Sequence, residues 1–322
     1  MSTLRLNKGL AFILFFLFIF SSQNIFAQCC SSGSPAGAST FVGLLNKKDI
    51  RVIAFYRSSF SDTYYKGAQK VTDYNILKNS SFNYSGLSLG YGISKRFTAE
   101  YEMGYFISKI QRYDLSPEYV LKGFGLSNGS VSVKYGAFVK PAKNIEFTLG
   151  SGVKFPFQME QQYVDNVLLP RDIQPSTGAF GITTQLFFNK GFPDLTLRIF
   201  TLNKFEVNGT NRDDYKYGNL LMNSIFVSKK IAKNFYGVVQ FRSENRQKDI
   251  EDGATKDNTG NEIIFISPQL SYSIAGQWHL AAMTDLPVYK NYIGKQLTPK
   301  YSFAISLTRD FNCCPKSDLK NL

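Results

Sequence analysis

Stretches of about ten residues in which apolar and polar side chains alternate recur along this chain, a pattern that admits few folds. In residues 96–108, RFTAEYEMGYFIS, one face carries Phe97, Ala99, Tyr101, Met103, Tyr105 and Ile107. The other carries Thr98, Glu100, Glu102, Gly104 and Ser108, with Phe106 out of pattern. In residues 144–155, NIEFTLGSGVKF, Ile145, Phe147, Leu149, Val153 and Phe155 oppose Glu146, Thr148, Gly150, Gly152 and Lys154. YSFAISLTR sets Tyr301, Phe303, Ile305 and Leu307 against Ser302, Ala304, Ser306 and Thr308. A strand with one apolar and one polar face, long enough to cross a bilayer when tilted, is the unit of a transmembrane β-barrel.

Extended along the chain, this reading predicts twelve strands, near 51–60, 83–93, 96–108, 131–139, 144–155, 179–188, 195–203, 217–229, 234–243, 262–274, 277–285 and 300–310. The connections alternate in length. Those at 94–95, 140–143, 189–194, 230–233 and 275–276 are short, and those between them are long. Short periplasmic turns and long extracellular loops give a barrel this rhythm, and an even strand number returns the chain to its starting side. A soluble β-sandwich is the competing fold, but its strands usually run five or six residues and bury one face in a dry core. Here the less apolar face holds Glu, Lys, Thr, Ser and Gly, which suits a wet or tightly filled lumen. The expectation is an all-β, transmembrane antiparallel β-barrel over residues 51–310, closed so that no backbone edge faces lipid.

Composition agrees. The chain has 29 Phe and 19 Tyr but one His and one Trp. Aromatic residues favour strands, while Gly, Asn and Pro punctuate them. The formal charge of +13 falls to about +11 once Arg5 and Lys8 of the leader are removed. Lys and Arg are scattered rather than clustered, so nucleic acid is not expected as a partner.

Residues 1–27, MSTLRLNKGLAFILFFLFIFSSQNIFA, have the layout of a secretory signal peptide: basic residues, an apolar run from Leu10 to Phe20, a polar break, and a cleavage-like Ala27. The apolar run is short for a membrane helix. Ala-Gln before Cys29 lacks the flank usual for lipidation. A periplasmic segment over 28–50 and a tail over 311–322 complete the expected organisation. All four cysteines, Cys29, Cys30, Cys313 and Cys314, then belong to the exported chain in an oxidising compartment. Four cysteines allow three pairings. Vicinal disulfides are strained, so a clasp between the two ends is expected; a soft-metal or redox site is the rival.

The inward-facing candidates are Glu100, Glu102, Glu146, Lys154 and Arg198, with Lys134 opposite Tyr135 in phase. They suit either a selective channel lining or a structural network filling the lumen. Nothing in the sequence sets a nucleophile or base beside the Glu100 and Glu102 carboxylates. His279, the sole histidine, is expected to face inward without a catalytic role, and Trp278 to join the periplasmic aromatic girdle. No catalytic, cofactor-binding or metal-binding residues are assigned, and the chain is not expected to be an enzyme. The acidic cluster Asp249, Glu251 and Asp252 does not meet the EF-hand spacing and reads as a solvated loop. The loop QRYDLSPEYVLKGFGLSNGS, residues 111–130, is a candidate to fold inward and constrict the lumen.

At the fifth strand and the loop after it stand LGSGVKFPF, Leu149 to Phe157, and LLPRDIQPSTGAFG, Leu168 to Gly181. Gly152, Lys154 and Pro156, then Pro170, Ile173, Gln174, Pro175, Thr177 and Gly178, make a pattern that resembles outer-membrane barrel transporters of the phenol-degradation meta-pathway type. That family often has Gly where Ser176 stands, and Gly or Asp where Ala179 and Phe180 stand. The high Phe, Tyr, Asn and Lys content and the leader's end also look like proteins of the Bacteroidetes. The resemblance implies a Gram-negative outer-membrane channel or transporter for small, hydrophobic molecules, with outer-membrane lipids and such a solute as partners and no cofactor. A nonconducting barrel that engages an envelope protein through its cysteine-clasped end is the alternative.

Overall fold

A computed structural model describes residues 43–73, 76–274 and 278–311. The leader and all four cysteines lie outside the described residues. The wall is built from β1 (Ile50–Gly67), β2 (Leu77–Gly92), β3 (Phe97–Tyr113), β4 (Asn128–Lys140), β5 (Ile145–Pro156) and β6 (Gly181–Phe192). It continues through β7 (Leu197–Asn208), β8 (Leu220–Ala232), β9 (Phe235–Arg246), β10 (Asn261–Ile274) and β11 (Trp278–Phe311). Each pairs antiparallel with its sequence neighbour, and β11 also pairs with β1, from Ile50 opposite Phe311 to Phe60 opposite Tyr301. The sheet is therefore a closed barrel.

The eleventh strand doubles back. Its first limb runs antiparallel to β10 and its second antiparallel to β1. The reversal falls at Gly294, whose φ of 71° suits a residue without Cβ. Twelve strand passages thus cross the wall among the described residues. The ladder continues beyond the alternating segments: residues 286–299, expected as a loop, are strand throughout. Hydrogen bonds between neighbours continue above the lipid, where apolar alternation stops signalling them.

Alternation places the side chains. Tyr301, Phe303, Ile305 and Leu307 are exposed, whereas Ser302, Ala304, Ser306 and Thr308 are buried. The outer surface is an apolar band suited to lipid, and the polar set faces inward. Phe106 breaks the sequence pattern because it is not a lipid-facing residue. It is fully buried and packs inward with Phe55 and Tyr84, its ring centroid 4.7 Å from that of Tyr84. Gly86 and Gly104 make room for this cluster, since a methyl group on either would overlap Phe55 or Tyr84.

Two of the short turns share a construction. Pro141 and Pro193 open single 3₁₀ turns, and Asn144 (φ 51°) and Thr196 (φ 49°) close them in the left-handed region. Proline presets φ at the first turn position, and the left-handed residue redirects the chain into the next strand. Trp278 and Arg309 meet at the same end, with the guanidinium 4.6 Å from the indole centroid.

Candidate functional site

The lumen is occupied from both ends. At the periplasmic end, residues 43–46 run against the inner wall before β1 begins. Leu44 donates its main-chain N–H to Glu146 Oε1 at 2.8 Å, and Leu45 donates to Thr98 Oγ1 at 3.0 Å. Leu45 is buried, and Gly92 lies so close to the Asn46 carbonyl that any side chain there would collide with it. Backbone donors with no strand partner thus find acceptors on the polar face of β3 and β5.

Above this segment two charged clusters cross the lumen. In one, Lys134 Nζ donates to Glu100 at 2.6 Å, and Lys154 bonds both Glu206 and Asn208. Glu102 and Lys204 line two adjoining cavities of about 30 and 60 Å³ between these pairs. In the other, Asp285 accepts from Arg57 at 2.8 Å and from Arg242 at 3.0 Å, with Ser267 donating to its second oxygen. Glu244 lies 2.9 Å from Arg242 Nε, and the Phe265 ring centroid is 4.5 Å from the guanidinium. Charges this buried persist only when paired and hydrogen-bonded.

At the extracellular end the chain between β5 and β6 enters the barrel. Leu169 and Ile173 pack against Leu121 as a small buried cluster. Gln174 ties the loop to itself, accepting from Gln162 N–H at 2.8 Å and donating to the Leu169 carbonyl at 2.8 Å. Lys109 Nζ on β3 donates to the Gln174 carbonyl at 2.9 Å. Thr177 and Ser176 both donate to Asn128 Oδ1 at 3.0 Å, and Gly178 turns with φ 69° into β6. Pro156 ends β5, and Pro175 lies against Gly125. Arg171 reaches outward to Asp213 and Glu251 and lies over the Tyr215 ring, 4.2 Å from its centroid.

Between this loop and the inner wall is a cavity of about 360 Å³. Tyr64, Leu77, Phe82, Ile173 and Leu297 supply apolar surface, and Lys109, Gln111, Asp172 and Gln296 supply polar groups. Ser59, Phe82 and Pro299 also line a smaller space of about 30 Å³ that reaches Arg57 and Arg246. The outer cavity thus leads toward the charged mid-section.

Each lumen-lining and loop candidate has a defined place, whereas the four cysteines lie outside the described residues. Glu100, Glu102 and Lys154 stand in the first charged cluster, and Glu146 holds the segment before β1. Arg198 bonds Asn189 nearby and lies over Phe200. Pro170, Gln174, Pro175, Thr177 and Gly178 make up the inward loop. The inward-folding role expected for residues 111–130 is not theirs. Tyr119–Leu126 instead forms a strand paired with β3, extending the wall, because its main-chain N–H and C=O groups find partners along β3 from Tyr105 to Tyr113. His279 Nδ1 lies 2.9 Å from Ser273 Oγ. Sequence reasoning missed Arg57, Arg242 and Asp285, which lie far apart in the chain and carry no motif. In the outer loops, burial raises the Asp249 carboxyl above its ordinary value, while the Lys256 hydrogen bond lowers that of Glu251. Among the described residues no group of three or more His, Cys, Asp or Glu could hold a metal ion.

No protein-family model and no curated protein matches the chain. Among solved structures, an outer membrane channel from Pseudomonas putida F1 matches with a TM-score of 0.69 at 11% identity, covering 85% of this chain and 99% of that one. The KdgM porin matches at 0.43 (9% identity; 81% and 99% covered) and the NanC porin at 0.45 (10%; 81% and 98%). At these identities the likeness is one of fold. The chain is a transmembrane antiparallel β-barrel whose fold resembles that of an outer-membrane channel.

Proposed function

We propose that the barrel admits small, predominantly hydrophobic molecules bearing a polar group, and passes them inward from the extracellular side. The 360 Å³ cavity under the inward loop carries this reading. Its apolar walls suit the body of such a solute, and Lys109, Gln111 and Gln296 suit a polar end. The charged clusters and residues 43–46 beneath it narrow the lumen, which disfavours a wide aqueous pore. Passage toward the periplasm then requires the segment before β1 to move from Thr98 and Glu146. The family likeness of the loop, with Gln174, Pro175, Thr177 and Gly178 at its centre, supports the same reading, and the fold of the Pseudomonas putida channel agrees with it. The signal peptide over 1–27, the periplasmic segment over 28–50 and the tail over 311–322 belong to this proposal.

Uptake into proteoliposomes containing the full exported chain tests it. A small aromatic alcohol is expected to enter faster than a sugar of similar size, and Phe82→Trp with Leu297→Trp, which fill the cavity, should slow the alcohol. Equal rates for both solutes, or no effect of filling the cavity, would overturn the proposal.

A further inference from the structure

Several cations of the extracellular half are held in ion pairs. In the extracellular half, Arg112 lies 3.2 Å from Glu118, Arg171 3.5 Å from Asp213, and Lys300 2.7 Å from Asp62. At the periplasmic end, Lys95 and Arg96 stand at the β2–β3 turn, Lys140 and Lys143 at the β4–β5 turn, and Lys229 and Lys230 at the end of β8, all exposed. Among the described residues none of these six has a carboxylate within ion-pair distance, and Asp194 is the one exposed acid along their arc.

They form a continuous half-ring. Gly136 N–H donates to the Arg96 carbonyl at 2.8 Å, Gly191 to Asn144 at 2.8 Å, and Lys230 to Thr196 at 3.1 Å, so four successive turns are stitched side by side. Lys190 Nζ adds a bond to the Lys143 carbonyl at 2.7 Å. These cations also sit at the level of the aromatic belt. Lys140 Nζ lies 4.8 Å from the centroid of the lipid-exposed Phe138, and Arg96 donates to the Tyr135 hydroxyl at 3.4 Å beside the Phe97 ring. Aromatic side chains mark the depth of the headgroups, and long basic side chains reach from that depth to the phosphates.

We propose that this half-ring binds the phosphodiester headgroups of anionic phospholipids in the periplasmic leaflet, and so selects the lipids around that half of the barrel. Unneutralised cations held at headgroup depth attract anionic lipid by direct charge complementarity, whereas exposed lysines at the other end, such as Lys66 and Lys70, lie away from the periplasmic leaflet. This is independent of what the lumen transports.

Spin-labelled lipid exchange on the full exported chain in phosphatidylcholine bilayers tests it, with labelled phosphatidylglycerol compared with labelled phosphatidylcholine. The barrel is expected to prefer phosphatidylglycerol. The set K140Q, K143Q, K229Q and K230Q should weaken that preference by about fivefold per effective lysine removed. Matching arginine substitutions should retain it, which separates charge loss from misfolding. The set K66Q, K70Q, K78Q and K122Q, which removes equal charge from the other end, should leave it intact. No preference in the unaltered barrel, or equal loss in both glutamine sets, would overturn the proposal. So would complete displacement of the lipid by millimolar inorganic phosphate, or capture of an acidic protein by the rim without lipid preference.

Discussion

Arg242 on β9 and Asp285 on β11 meet at 3.0 Å across the intervening strand β10, and both are almost wholly buried. Arg57 reaches the same carboxylate from β1, so a single acid joins the first strand to the last part of the wall. Asp285→Ala would leave two buried guanidinium groups without their shared partner, at a cost of about 3–5 kcal/mol. Urea unfolding of the reconstituted barrel checks this. A midpoint unchanged from the parent would show that the cluster is not a brace.

Lys109 offers a test of the inward loop. Lys109→Met keeps the stem that packs near Phe106 but removes the donor to the Gln174 carbonyl. Losing a hydrogen bond from a charged group costs about 1.5–3 kcal/mol, here charged against loop docking. Amide exchange over residues 168–178 should rise while exchange in β3 stays low. Unchanged protection of the loop would argue that Leu169 and Ile173 hold it unaided.

The glycine beneath Tyr84 should be intolerant of even one methyl group. Gly104→Ala must displace the Tyr84 phenol, and overpacking of this kind costs about 1–3 kcal/mol. The companion change Tyr84→Phe, which removes the colliding hydroxyl, should recover part of the loss. Thermal unfolding of the single and double variants measures both effects, and additive destabilisation would exclude the clash as the cause.

Asp249 supplies a pH dependence in the extracellular loops. Its carboxyl accepts from Tyr215 and, at 2.7 Å, from Gly218 N–H, and burial raises its pKa above the ordinary 3.8. A docked loop whose acid has a raised pKa binds the proton more readily than the loose loop. Docking is therefore strongest below pH 3.8 and weakens as the pH rises through the raised value. Asp249→Asn should abolish this weakening with rising pH. Exchange of residues 247–260, corrected for intrinsic rate, is the measurement, and protection that climbs with pH in the parent would contradict the assignment.

The inner wall shows how far local pattern reaches. Alternation in residues 96–108 set Thr98, Glu100 and Glu102 on one polar face, and the turn rhythm anticipated four short connections to within a few residues; the fifth, 275–276, lies outside the described residues. Phe106 escaped the pattern because the sequence marks a residue as apolar without saying whether lipid or another ring covers it. Residues 286–299 escaped it because their polar composition resembles a loop, although their backbone completes a ladder.

That polar residues such as Thr98, Glu100 and Glu102 share one face was legible in the sequence, since a period of two fixes face regardless of what lies opposite. Which of them would meet was not. Arg57 finds Asp285, Lys154 finds Glu206, and Leu45 finds Thr98 only after the barrel closes. Closure is a property of the whole sheet: it sets the lumen's width, and that width decides whether inward side chains stand apart in water or pair with one another.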